Sequence, residues 1–344
     1  MGYRAKTWDG SQWIDLGSNG IDSSVYATKS YVNTAYPGRN LIHNGAFRVW
    51  QRGTPITSIN SDNTYTADRW YVGRGGLLDV SKGTATPPTG FVNYIKMENK
   101  TASNAFIALW QAIETVNVIP HIGKPVTLSF WARANANTAA SKSLNYLVMY
   151  STSADTKPSS NLGNSSVTLD STSWTYVSVT KTIPADAQTL GVQLYSAPGG
   201  GLAVNDGLQI TGVQLEIGET ATAFQHKDFV TELNECQRYY YRHSTGNQPI
   251  GTAFFYTASS MYAWIAFPTT MRTAPSINSS TGTDYYLLDR LGAVDYFNSF
   301  GQGSKTTAGS WIYNNTEMTS STAGAAGLVQ GYSANSYLGF SADL

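Results

Sequence analysis

The sequence predicts a mainly β protein: an antiparallel jelly-roll β-sandwich and a smaller C-terminal β-domain, joined by a connector helix and preceded by a hairpin and a short helix. Three observations carry this reading. From Asn40 to Phe224 the chain is a succession of short strand-like runs, NLIHNGAFRVW, ADRWYVGR, FVNYIKME, AFIALWQAI, PVTLSFWARA, LNYLVMYS, TYVSVTKTI, LGVQLYSA and LQITGVQLEI. Clusters of Gly, Pro, Asn and Ser separate them, and no helical crossover intervenes, so the strands pair antiparallel and bury themselves as two stacked sheets. Beyond a single helical stretch, a second set follows: GTAFFYTASS, YAWIAFPTTM, SINSS, DYYLLDRLG, SWIYNN and SYLGFSADL.

Taken in order, residues 1–38 form the first unit. RAKTWDGSQWIDL (4–16) places Asp9-Gly10 between aromatic-bearing segments, the signature of a type I′ hairpin. In the following IDSSVYATKSYVNTA, Val25, Thr28, Val32 and Ala35 recur at spacings of three and four behind Ser and Asp caps, a helix of about three turns with a narrow apolar seam. A lone hairpin and a helix this short are both marginal in water, so copies from neighbouring chains are expected to pack along that seam. Residues 39–226 make up the sandwich.

Residues 227–243 read as the connector helix. Asp228 stands at the cap position, Phe229, Leu233, Cys236 and Tyr240 share a stripe, and Arg238 and Arg242 lie in the last turn. The stripe can pack on the sandwich or on symmetry mates, and Phe229, Leu233 and Tyr240 join Val25, Thr28, Val32 and Ala35 as expected interchain contacts. Residues 244–344 form the smaller β-domain, whose long polar loops suit a distal, exposed position.

Composition narrows the function. Of 344 residues only 13% are charged, and the formal net charge is zero. With no basic excess there is no counterion release to drive nucleic-acid binding and no polybasic run to hold an anionic membrane. No stretch approaches the roughly 20 apolar residues of a membrane span, and the N-terminus lacks a signal-peptide run, so the chain is expected to be made in a cytosol and to stay soluble. Cys236, the single cysteine, reads as a small buried filler.

Two groups of motifs resemble a known family. Asn40-Leu41-Ile42-His43-Asn44-Gly45-Ala46-Phe47 with Val49-Trp50-Gln51-Arg52-Gly53 and Ala67-Asp68-Arg69-Trp70 resembles the opening of jelly-roll domains in bacteriophage tail-fibre proteins. Val213-Gln214-Leu215-Glu216, Gly218, Ala221-Thr222-Ala223-Phe224 and Glu235-Cys236-Gln237-Arg238-Tyr239-Tyr240 are similar to that family's closing strand and connector. The resemblance runs from about residue 25 to 242, with a looser match at 267–275. It implies a virion tail-fibre or receptor-binding protein, a homotrimer attached to tail or baseplate proteins by its N-terminus and meeting host surface polysaccharide at its far end. Similar jelly rolls serve as carbohydrate-binding modules of glycosidases.

The candidate chemistry is recognition. His43, His121, His226 and His243 lack metal-site spacing. Asp68, Glu114, Asp206 and Glu216 leave open the alternative of a glycan depolymerase, which needs two carboxyls ~5 to 9.5 Å apart. No cofactor is expected beyond a structural Ca²⁺, for which Asp206 and Glu216 are the candidate ligands. Trp50, Trp70, Trp110, Trp131 and Trp174 sit in apolar alternation and read as packing. In the C-terminal domain Tyr285, Tyr286, Tyr296, Phe297, Trp311 and Tyr313 flank polar loops, and Tyr285, Tyr286, Tyr296, Trp311 and Tyr313 are the candidate sugar-stacking residues. The expected function is multivalent, non-enzymatic attachment to glycan; a ligand-free spacer is the remaining alternative.

Overall fold

The computed structural model describes residues 6–8, 13–15, 40–101, 106–135, 142–196, 202–319 and 321–344. Strands β1 (Lys6–Trp8) and β2 (Trp13–Asp15) pair antiparallel with Trp8 opposite Trp13. The Asp9-Gly10 turn, and the helix expected to carry Val25, Thr28, Val32 and Ala35, lie outside the described residues.

The sandwich follows in chain order as β3 (Ile56–Ile59), β4 (Thr64–Tyr65), β5 (Tyr71–Arg74), β6 (Leu78–Gly83), β7 (Tyr94–Asn99), β8 (Ile107–Ile113), β9 (Pro125–Ala134), β10 (Lys142–Ser151), β11 (Ser160–Asn161), β12 (Ser165–Leu169), β13 (Thr175–Thr182), β14 (Thr189–Ser196) and β15 (Gly207–Ile217). One sheet has the order β11-β10-β14-β8-β5-β4, with β12 also on β10; the other is β13-β9-β15-β7-β6-β3. From β7 to β10, and again from β13 to β15, successive strands alternate between the sheets, the crossing pattern of a jelly roll. Period-two alternation sends Val126, Leu128, Phe130 and Ala132 of β9 inward to meet Leu144, Val148, Val192 and Leu194 of the opposite sheet in one core.

The run NLIHNGAFRVW, expected as a strand, is an irregular segment buried between sheet and helix. Its backbone is held by side chains instead of a ladder. The Asn44 carboxamide accepts from the Arg48 and Val49 amides and donates to the carbonyls of Val49 and Asp68. Asn40 ties the segment to β15 through Val213 and Leu215. Gly45 lies where a Cβ would stand 2.0 Å from the Val213 carbonyl oxygen, so any larger residue would push the segment off the sheet.

Helix α1 spans Phe229–Gln237, shorter than the 227–243 stretch expected. Asp228 caps it by accepting from the Thr231 amide at 2.9 Å. The expected stripe is corrected in two ways. The buried positions are Glu232 and Cys236, while Phe229 is 46% exposed, with the Arg48 guanidinium 5.5 Å from its ring. Tyr240 has left the helix altogether: it opens β16 (Tyr240–Thr245), pairing with Ser341, because Tyr239 and Tyr240 find deeper burial in the seam between the domains. Leu233 is partly buried on the helix.

The C-terminal region continues with β17 (Pro249–Thr257), β18 (Ser260–Ala266), β19 (Ser276–Ser279), β20 (Tyr286–Arg290), β21 (Ala293–Phe297), β22 (Gly301–Lys305), β23 (Gly309–Asn314), β24 (Ala326–Gly331) and β25 (Tyr337–Ser341). A three-stranded sheet, β16-β25-β19, packs with a seven-stranded one, β21-β20-β24-β17-β18-β23-β22. Phe255, Ile265, Tyr286, Phe297 and Phe340 lie in the core they enclose.

Candidate functional site

Strands β17, β18 and β23 lie side by side, and each carries an aromatic-x-aromatic triplet: Phe254 and Tyr256, Tyr262 and Trp264, Trp311 and Tyr313. The intervening Phe255, Ala263 and Ile312 point into the core, so strand alternation puts all six rings on the outer face. Register aligns them in rows: Tyr262 stands opposite both Phe254 and Tyr313, and Trp264 opposite Trp311. Tyr262 and Tyr313 stack with centroids 5.4 Å apart at 25°, while Trp264 meets Trp311 edge-on at 5.4 Å. Phe254 reaches Trp311 diagonally at 6.0 Å, and Tyr256 packs on Tyr262 at 5.6 Å. The rings hold one another in place and still face solvent; Tyr256 is 69% exposed.

Glycine shapes the open side. Gly301 pairs with Tyr313, and a Cβ there would sit 2.5 Å from the tyrosine ring; at Gly303 it would sit 3.2 Å from Trp311 Cβ. These bare positions leave a groove of about 560 Å³, floored by Phe254, Tyr262, Trp311 and Tyr313, with Ser304 and Asn315 at its rim. The Gln302 side chain is already engaged, donating to the Pro275 carbonyl and accepting from the Ile277 amide.

The five residues expected to stack sugar divide. Trp311 and Tyr313 lie at the centre of the cluster. Tyr296, 44% exposed, lies on β21 at the other edge of the same sheet, where its ring meets Tyr332 at 4.9 Å. Tyr285 is half-buried against the core. Tyr286 is a core residue with no accessible surface, its ring between Phe297 and Phe300 and its hydroxyl donating to the Tyr337 carbonyl at 2.7 Å. The reason is strand parity: Tyr286 is one residue out of phase with the outer face. Phe254, Tyr256, Tyr262 and Trp264 escaped sequence reading, although three aromatic-x-aromatic triplets with apolar centres were the available signal.

Asp206 and Glu216 do not form a metal pair. They flank and end β15, ten residues of extended chain apart, or roughly 30 Å. Asp206 is bound by Lys142 at 2.9 Å and the Ala203 amide; Glu216 accepts from Gln214, the Thr222 amide and the Thr222 hydroxyl. Among the described residues no three His, Cys, Asp or Glu side chains converge. Asp68 is fully buried on Gln51, and Glu114 pairs with Arg238 at 2.9 Å.

No protein-family model matches the chain, and no curated protein is significantly similar to it. Solved structures match parts of it at low scores. Tailspike protein 4 of bacteriophage CBA120, in its enzymatically active domain, matches at 15% identity and a TM-score of 0.35 over 53% of this chain, which spans only 22% of that one. The CBM22-1 xylan-binding domain of Paenibacillus barcinonensis Xyn10C matches at 13% identity and TM-score 0.33, covering 48% of this chain and 97% of that one. A CBM4 structure matches at 21% identity and TM-score 0.32, covering 52% and 99%. At these scores the likeness bears on neither the ligand nor the assembly of the chain.

Proposed function

We propose that the protein is a non-catalytic glycan-binding protein that engages polysaccharide through the aromatic face of its C-terminal domain. The single observation behind this reading is six solvent-facing rings in register on three adjacent strands, beside a groove that glycines keep open. Sugar rings present C–H faces that stack on aromatic rings, and hydroxyl and amide groups at the rim suit their hydroxyls. The groove lining carries no charged side chain, which fits an uncharged polyhydroxylated ligand better than an ionic one.

The finer proposal is a virion tail fibre attaching to host surface glycan. It rests on the resemblance of residues 40–53 and 213–240 to tail-fibre jelly rolls. In a homotrimer three weak sites raise avidity by roughly two to four orders of magnitude when geometry allows simultaneous contact. The test is retention on immobilised host polysaccharides. Trp311→Ala and Tyr256→Ala should each weaken retention about tenfold, or ~1.4 kcal/mol, with unchanged melting. Wild-type retention in both variants would defeat the site, and release of new reducing ends from the polysaccharide would defeat the non-catalytic reading. A shift of particle mass in Trp311→Ala would instead make this face an interface between copies.

A further inference from the structure

We propose that the aromatic face takes an internal stretch of several sugars of a neutral, linear glycan, laid along the strands, and not a chain end or a single sugar. This rests on the reading of that face as the glycan site and specifies the form in which the glycan binds. The rings fall into three rows along the strand direction. Register puts Phe254, Tyr262 and Tyr313 in the middle row; Tyr256 lies two residues beyond Phe254 on one side, and Trp264 and Trp311 lie two residues beyond Tyr262 and Tyr313 on the other. The outer rows are four residues of strand apart, roughly 13 Å. Neighbouring rows are thus about 7 Å apart, near the length of one hexose, so the platform suits about three consecutive sugars.

Two glycines turn rings broad side out. A Cβ at Gly309 would stand 2.3 Å from Trp264 Cζ2, and one at Gly301 would stand 2.5 Å from Tyr313 Cζ, so both rings lie across bare backbone of the neighbouring strand. Each turns one flat face to the sheet and the other to solvent, and the Tyr262 ring lies within 25° of the Tyr313 plane. Plates in successive rows can each receive the C–H face of one sugar in a chain.

A site for a chain end, or for a single sugar, closes over its ligand on at least one side. Here the rings of the two outer rows, Tyr256 and Trp264, are the most exposed of the set, at 69% and 43%. Strand β22, which carries Ser304 of the polar lining, runs along the flank of the platform and not across its ends. The glycan can therefore continue past both ends while its hydroxyls meet the flank.

In the experiment, the polysaccharide that the wild-type chain retains is cut by partial acid hydrolysis, and fragments from the single sugar to the hexasaccharide are titrated into the full chain by calorimetry. Affinity should rise about tenfold from disaccharide to trisaccharide and by less than about twofold from tetrasaccharide to hexasaccharide. Borohydride reduction of the end sugar should leave hexasaccharide affinity unchanged. Trp264→Ala should lower trisaccharide affinity about tenfold and leave disaccharide affinity within about twofold, a split that general damage to the fold would not give. Tyr256→Ala should do the same, and the double variant should lose about a hundredfold, since sites this far apart act independently. If Trp264→Ala melts early, the more exposed Tyr256 decides. A single sugar bound as tightly as the trisaccharide, loss of binding on reduction, or equal loss of disaccharide and trisaccharide affinity in these variants would each overturn the inference and leave the face a glycan site. If no polysaccharide is retained, the reading of the face falls and this inference with it.

Discussion

The backbone N–H of Asn44 donates to Glu232 Oε1 at 2.8 Å, joining positions 188 residues apart. Asn44 sits in a left-handed conformation (φ 55°) inside the irregular opening segment, and Glu232 lies on the buried side of α1. The bond therefore fastens the helix to the sandwich, helped by His43 Nδ1 to Glu235 Oε2 at 2.9 Å and by Lys227 to Glu235 at 2.7 Å. The helix is a staple on the sandwich before it is a connector.

Glu232→Ala should lower stability by about 2 kcal/mol, because it strands a buried amide donor. Glu232→Gln keeps an oxygen acceptor and should lose less than about 1 kcal/mol, since burial already pushes the Glu232 carboxyl above its ordinary pKa and so favours a neutral group there. Urea unfolding of both variants checks the ranking; equal losses would mean the hydrogen bond contributes nothing.

The staple also predicts a pH response. Burial holds the His43 pKa below its ordinary value, an effect only partly offset by its hydrogen bond to Glu235. A depressed folded pKa means that the unfolded chain binds more protons, so this contribution is complete above about pH 6.5 and is lost as pH falls from there through the folded value. His43→Gln should flatten the stability curve in that window. A wild-type curve that rises on acidification between about pH 6.5 and 5.5 would contradict the assignment.

Cys236 is fully buried, and burial, with Asp68 and Glu232 nearby, raises its thiol pKa well above the usual range. The thiolate is the reactive form, so the native protein should resist aromatic disulfide reagents and react stoichiometrically in denaturant. Prompt native labelling would show that α1 opens from the sandwich.

At the aromatic face, Gly301→Ala is expected to displace the Tyr313 ring, whose Cζ lies 2.5 Å from the added Cβ. Retention on polysaccharide should fall several-fold, with a melting temperature within about 4 °C of wild type, as a change near 1 kcal/mol gives. Unchanged retention would show that Tyr313 takes no part in the groove.

Much of this architecture was legible in the residues. The alternation of Val126, Leu128, Phe130 and Ala132 in PVTLSFWARA and the apolar run LNYLVMYS, with turn residues between runs, specify antiparallel strands, and Asp228 marks the start of α1. NLIHNGAFRVW misled because its apolar residues are buried by an irregular path that Asn40 and Asn44 stabilise, and side-chain bonds to distant carbonyls leave no periodicity. Tyr286 misled because a tyrosine near a polar loop carries no mark of which side of its strand is covered.

Local physics along the chain, hydrophobic alternation, turn chemistry and a capping aspartate, determined that this protein is an antiparallel β-sandwich with a helix before a second β-region. Which rings face outward, and that Arg52 meets Asp343 across 291 residues, was decided only by tertiary structure. The reason is that strand parity relative to a neighbouring sheet, and contacts between domains, are set by packing of the whole chain and leave no signal within any short window of it.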